Sequence, residues 1–167
     1  MSEAGYNTIG ASETGDFNNN IQAGCQFDMP EPGTATKIVF RVYCYGTDQA
    51  CSAAIYEDSS DSISAKVGQS SPGVMTTSYQ WVEMDSSIHV DAGINWLLFS
   101  GNDTYKLAID ATTGNFLAYI DEAGNIYNDF PNPSYTPAEY FSGYVISAYI
   151  IYTPDSAQDT SKMLMLF

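Results

Sequence analysis

Residues 21–153 form a succession of short apolar segments cut by turn residues, and inside the segments the apolar positions alternate. In residues 36–45, Ile38, Phe40, Val42 and Cys44 fall on one face while Lys37, Arg41 and Tyr43 fall on the other, the period-two pattern of a half-buried strand. Residues 51–57 place Ala53 and Ile55 together before Asp58-Ser59-Ser60-Asp61 turns the chain. Residues 21–29 end at the breaker cluster Pro30-Glu31-Pro32-Gly33, and residues 63–69 close at Ser71-Pro72-Gly73. No stretch matches the i, i+3, i+4, i+7 spacing of a helix as well as these segments match period two. Many strands at short, even spacing predict an all-β sandwich or barrel, with two packed antiparallel sheets preferred.

Further strands are expected at 75–84, which carries Trp81, and at 94–100, which is apolar on both faces as a central strand should be. Tyr105, Leu107 and Ile109 alternate with Lys106, Ala108 and Asp110, and residues 110–114 read as a turn into 115–120, forming a hairpin. A closing strand spans 143–152 and ends at Pro154. The chain of 167 residues is long enough for one well-buried domain. The expected organisation is a loosely ordered arm over 1–20, with one strand near 6–10, the sandwich over 21–153, and a tail over 154–167.

Twenty Asp and Glu against five Lys and Arg give a net charge of -15. Nucleic-acid binding relies on Lys and Arg neutralising phosphates, so nucleic acid is excluded as a partner, and an anionic membrane surface is disfavoured for the same reason. No apolar run reaches the ~18 residues of a membrane helix. The first residues lack the basic and apolar regions of a signal peptide, so the chain is expected either to bypass that route or to begin after cleavage. Three cysteines, Cys25, Cys44 and Cys51, argue against a complete disulfide framework. A Cys44–Cys51 bridge is geometrically conceivable, and three small buried hydrophobes is the alternative. Zinc is rejected for want of ligand spacing.

Chemistry finds few candidates. His89 is the single histidine and sits at the edge of an expected strand. No GxSxG elbow, Walker loop or GxGxxG occurs. A carboxylate pair of the glycosidase kind cannot be nominated among twenty acids. The chain is therefore expected to be non-catalytic. Asp58, Asp61, Asp121, Glu122 and Asn125 are hard oxygen donors in expected loops, which makes structural calcium a candidate cofactor, with ordinary Asx-turn chemistry as the alternative.

Thirteen Tyr, eight Phe and two Trp exceed the needs of one core of this size. Such rings suit interfaces and sugar faces. Residues 121–141 hold Tyr127, Asp129, Phe130, Tyr135 and Tyr140 among asparagines and three prolines, without a convincing strand. A loop of about twenty residues is usually functional or disordered. Tyr127, Asp129, Tyr135 and Tyr140, with Trp81, are the candidate ligand-binding residues; the same loop could equally cross one end of the sandwich with its rings tucked in. Trp96, in mid-strand, is expected in the core. Met163, Leu164, Met165, Leu166 and Phe167 form a terminal apolar run and are the candidate assembly contact, with a frayed end as the alternative.

The order of Thr36-Lys37-Ile38, then Ala53-Ala54-Ile55-Tyr56-Glu57-Asp58, then Gly93-Ile94-Asn95-Trp96-Leu97-Leu98-Phe99, resembles the TKI, AAIYxD and GxYWLxF strands of jelly-roll modules in archaeal and bacterial surface proteins and some virion proteins. The resemblance covers about residues 19–153. It departs at residues 59–62, where the modules carry a Gly- and Pro-rich turn. It implies a carbohydrate-binding-like β-sandwich of jelly-roll type and supplies no catalytic residues. Three readings follow. The first is a virion decoration, turret or fibre component at the virion surface, self-associating or docked on capsid proteins, with host-surface glycans as candidate ligands. The second is a carbohydrate-binding module of a secreted or cell-surface protein, and the third a small glycoside hydrolase or lyase.

Overall fold

The computed structural model of the chain describes residues 1–19, 21–121, 128, 130 and 139–155, with backbone alone over 113–121 and 139–141. These residues form twelve antiparallel strands and no helical element. The strands are β1 (Ser2–Tyr6), β2 (Ser12–Glu13), β3 (Ile21–Met29), β4 (Gly33–Cys44), β5 (Gln49–Asp58) and β6 (Ile63–Gln69). They continue as β7 (Gly73–Met75), β8 (Gln80–Val90), β9 (Gly93–Gly101), β10 (Tyr105–Asp121), β11 (Glu139–Ile146) and β12 (Ala148–Pro154). Two sheets pack face to face in an all-β sandwich. Sheet A runs β1-β12-β4-β8. Sheet B is built on β10-β3-β9-β5, with β2 and β11 on β10 and with β6 and β7 on β5.

Alternation decides what lies between the sheets. Ile38, Phe40, Val42 and Cys44 of β4 point inward with Val82 and Met84 of β8 and Ile150 and Tyr152 of β12. From the facing sheet come Cys25 and Phe27 of β3, Ala53 and Ile55 of β5, and Leu97 and Phe99 of β9. Phe40 and Phe99 meet across the layers with ring centres 5.1 Å apart, and Phe99 stands edge-on to Tyr105, also at 5.1 Å. Fully burying one such ring is worth about 1.5–3 kcal/mol. The central strand β9 is apolar on both faces, as its composition requires. Its other face, with Trp96 and Leu98, joins Ala54, Tyr56, Ile63 and Phe130 in a second buried cluster on the outside of sheet B. Trp96 is thus buried, but not in the core between the sheets.

Five expectations change. The described part of the expected loose arm, residues 1–19, is tied down: β1 pairs along β12, and residues 12–17 are laced to β10 through Thr14 and a Phe17–Tyr105 bridge. The strand expected near 6–10 lies instead at Ser2–Tyr6. The turn expected over 110–114 is absent, because β10 runs through it with a register irregularity against β11 between Ala111 and Phe116. This long strand starts in sheet A, paired with β4, and finishes in sheet B against β3. The single closing strand expected over 143–152 is two strands. Ser147 separates β11 in sheet B from β12 in sheet A, bonding to Ala108 of β10 and to Arg41 of β4. The chain therefore changes sheets twice at one corner. The expected strand at 75–84 divides as well, into β7 and the later β8.

Candidate functional site

The same alternation that sends Ile38, Phe40 and Val42 inward sends Arg41 and Tyr43 to the outer face of sheet A. Trp81 of β8 lies opposite Arg41 in register, and Lys106 of β10 lies opposite Tyr43. Tyr149 of β12 lies opposite Val39. These pairings bring together rings that are far apart in sequence. Trp81 and Tyr149 meet edge to face at 5.3 Å, as do Tyr43 and Tyr45 at 5.2 Å, while Tyr43 and Tyr79 are tilted at 33° with centres 5.5 Å apart. The Arg41 guanidinium carbon stands 5.8 Å from the centre of the Trp81 ring. Val39, on this outward face, is nonetheless completely buried. Tyr43, Tyr79, Trp81 and Tyr149 are only partly buried, and Tyr45 is exposed.

One wall of this face comes from residues 9–13, the end of the link between β1 and β2 together with β2 itself. Gly10 lets that link lie against β10, since a Cβ there would come within 2.8 Å of the Ile109 backbone. The Gly10 amide donates to Ser147 Oγ at 2.9 Å, and the Ala11 amide donates to Asp110 Oδ1 at 2.7 Å. Between this wall and the sheet lies a cleft of about 310 Å³ lined by residues 9–13 with Arg41, Tyr79 and Ala108. A second cleft of about 380 Å³, lined by Tyr43, Tyr45, Tyr79, Lys106 and Glu13, adjoins it. Glu13 and Tyr79 are common to both.

A polar network holds the rings in place. Lys106 Nζ donates to Glu13 Oε1 at 2.8 Å and lies 3.6 Å from Asp16 Oδ1. Tyr79 donates its hydroxyl to Glu13 Oε2 at 2.9 Å, and Tyr45 donates to Asp16 Oδ1 at 2.9 Å. The hydrogen bonds from Lys106 and then Tyr79 hold the Glu13 carboxyl below its usual range. The same Glu13 contact raises the Lys106 ammonium, while burial first and Glu13 second push the Tyr79 phenol up. All three therefore keep their neutral-pH states. Arg41 differs, having no carboxylate partner among the described residues.

Of the residues singled out from sequence, Trp81 is on this face. Tyr140 lies in β11 with its backbone opposite Ala118. Tyr127, Asp129 and Tyr135, and the run from Met163 to Phe167, lie outside the described residues. Phe130, from the same loop, is tucked against Trp96 and Tyr56, and its carbonyl accepts from Lys66 Nζ at 2.7 Å. Asp58 and Asp61 are drawn together by Gln26, whose amide reaches Asp58 Oδ1 at 2.9 Å and Asp61 Oδ1 at 3.2 Å. Asp121 ends β10, and Glu122 lies outside the described residues. Among the described residues no group of three or more acidic, His or Cys side chains converges as a metal site. His89 is exposed and contacts Asp155. The three cysteines are buried and unbridged, and burial pushes the Cys25 and Cys51 thiols up to about 12. Thiols in that state are the reverse of activated nucleophiles. Tyr43, Tyr45, Tyr79 and Tyr149 were not foreseen as a site, although their alternation with core residues was visible for Tyr43.

No family model matches the chain, and no curated protein matches it. Among solved structures, the clostridial cysteine protease Cwp84 after propeptide cleavage superposes with a TM-score of 0.53 at 11% identity. The match covers 84% of this chain and 38% of that one, so the present chain spans well under half the protease's length, and the likeness is one of fold alone.

Proposed function

We propose that this chain is a non-catalytic glycan-binding β-sandwich that takes a saccharide chain along the outer face of sheet A. The observation that carries the reading is two ring groups on the outer face of sheet A, the pair Trp81–Tyr149 and the trio Tyr79–Tyr43–Tyr45, with ring contacts at 5.2–5.5 Å inside each. Partly exposed Tyr and Trp present an apolar ring to a sugar face and keep a polar tip for hydroxyls. The rings are fixed from below by strand pairing and at the edge by Glu13 and Lys106, which lowers the ordering cost of binding. A net charge of -15 suits a module displayed in many copies on a virion or cell surface, since like-charged copies repel.

The test is calorimetric titration with a panel of oligosaccharides. Binding is expected to be saturable, and Trp81→Ala or Tyr79→Ala should weaken it at least about tenfold, the scale of ~1.4 kcal/mol lost with one stacking ring. Absence of binding across a broad panel would remove the reading. Display by assembly has its own measurement, light scattering of the full chain and of one ending at Ser161: a multimer lost on truncation supports it, and a monomer in both cases removes it.

A further inference from the structure

We infer that the sugar bound on this face is an acidic one, a hexuronic or sialic acid, whose carboxylate is received by Arg41. The inference rests on the glycan-binding reading and adds its ligand class.

The chain has five Lys and Arg, and three of them, Lys37, Arg41 and Lys106, are on β4 or the neighbouring end of β10. Lys37 is paired with Glu83, and Lys106 with Glu13 and Asp16. Arg41 is the exception: it lines the cleft under residues 9–13 and its recorded partner is the Trp81 ring. Lys66 also lacks a carboxylate partner among the described residues, but its Nζ donates to the Phe130 carbonyl; Arg41 is thus the Lys or Arg side chain among the described residues that meets a ring face and no oxygen acceptor. Glu13, the one carboxylate lining that cleft, is already occupied by Lys106 and Tyr79. Among the described residues the cleft therefore offers a guanidinium without a carboxylate partner beside the Tyr79 phenol, with the Trp81 indole against that guanidinium.

Trp81 beneath Arg41 holds the guanidinium by cation–π contact and leaves its donors for a ligand. A planar guanidinium matches a carboxylate through two parallel N–H···O bonds, a geometry that neutral sugar hydroxyls do not reproduce. The pyranose ring of the same sugar would then lie against Tyr79. The general negative field of the protein opposes an anionic ligand, but at physiological salt it fades within about 8 Å, so the local Arg41 charge governs the cleft.

The experiment is calorimetric titration of the intact chain with two matched pairs, tetragalacturonate against galactotetraose and sialyllactose against lactose. In at least one pair the acidic member is expected to bind about tenfold or more tighter, the range of a hydrogen bond to a charged group. Arg41→Gln should abolish that preference, and Arg41→Lys should restore part of it. The wild-type comparison stands even if a variant fails to fold. Equal binding within both pairs overturns the acidic ligand and leaves glycan binding standing; so does a preference that survives Arg41→Gln. No binding of any of the four sugars, or of the wider panel, removes both.

Discussion

The Tyr6 hydroxyl donates to Asp110 Oδ2 at 2.6 Å, joining the first strand to the long sheet-crossing strand β10 across 104 positions of sequence. The other oxygen of Asp110 accepts the Ala11 amide, so one carboxylate pins both ends of the link that walls the cleft. These two hydrogen bonds, Tyr6 first, hold the Asp110 carboxyl below its ordinary value. A depressed carboxylate contributes stability that is in place above its unfolded pKa of about 3.9 and is lost as pH falls through the lower folded value. Asp110→Asn should therefore remove an acid-sensitive component of stability and speed hydrogen exchange at the Ala11 amide. Native-state exchange followed by NMR checks this; unchanged protection at Ala11 would show that the link is held without Asp110.

Gly24 sits in sheet B at a position with no room for a side chain. It lies between Leu98 of β9 and Ala118 of β10 in register, and a Cβ on it would sit 2.0 Å from the Leu97 carbonyl oxygen. Backbone on the far side cannot rotate away as a side chain can. Gly24→Ala should cost about 3 kcal/mol, at the upper end for overpacking, and lower the melting temperature by about 6–12 °C. Thermal denaturation by circular dichroism measures it, and a shift below a degree would mean that the sheet yields at this point.

Much of this architecture is readable from alternation. The inward faces of β4, β5 and β9 follow directly from Ile38/Phe40/Val42, Ala53/Ile55 and Leu97/Phe99. The direction of Trp81 stays open in the sequence; the burial of its neighbours Val82 and Met84 shows that it points outward. What alternation does not carry is which strands become neighbours. Residues 110–114 contain turn formers, yet β10 stays extended through them, paired with β11 at Asp110 and Ala111 and again from Phe116. The break at Ser147 falls inside an uninterrupted apolar run and becomes visible only through the change of sheet. The site itself is assembled from β4, β8, β10, β12 and residues 9–13, a convergence set by long-range pairing rather than by any local motif.

Asp58 joins the turn after β5 to the strand tryptophan Trp96. Its Oδ1 accepts from Trp96 Nε1 at 2.8 Å and from Gln26 Nε2 at 2.9 Å, and its Oδ2 accepts the Asp61 amide at 3.2 Å. Asp58→Ala removes the acceptor from a fully buried indole, at a cost of about 1–3 kcal/mol. Asp58→Asn keeps one oxygen for that donor and should cost less. Chemical denaturation of the two variants, read by Trp fluorescence, tests the order; equal losses would assign the effect to the turn rather than to the indole.

The buried thiols make a prediction about reagents rather than about folding. Cys25 and Cys51 are held protonated by burial, their thiols raised to about 12, and Cys44 is raised for the same leading reason. Native protein should react negligibly with a thiol-specific chromogenic disulfide at pH 8, and all three thiols should titrate once guanidinium unfolds the chain. Two missing equivalents in the unfolded titration would instead reveal a bridge.

His89 offers a local reporter for the end of the sandwich. Its Nε2 lies 3.0 Å from Asp155 Oδ2, and the Asp155 amide donates to the Pro32 carbonyl just before β4 begins. The hydrogen bond to Asp155 leads in raising the imidazole above its usual value, with the charge of Asp155 and then Asp91 adding to it. A raised folded pKa means that the contact contributes fully below the unfolded value of about 6.5 and fades as pH climbs through the folded one. Because it is the single histidine, its ring protons can be followed without assignment ambiguity. An NMR titration should place the wild-type midpoint above 6.5 and return it toward that value in Asp155→Asn, with little change in Asp91→Asn, whose carboxylate stands 3.9 Å away. If Asp91→Asn moves the midpoint more than Asp155→Asn does, the imidazole is answering to the β8–β9 turn and not to the end of β12.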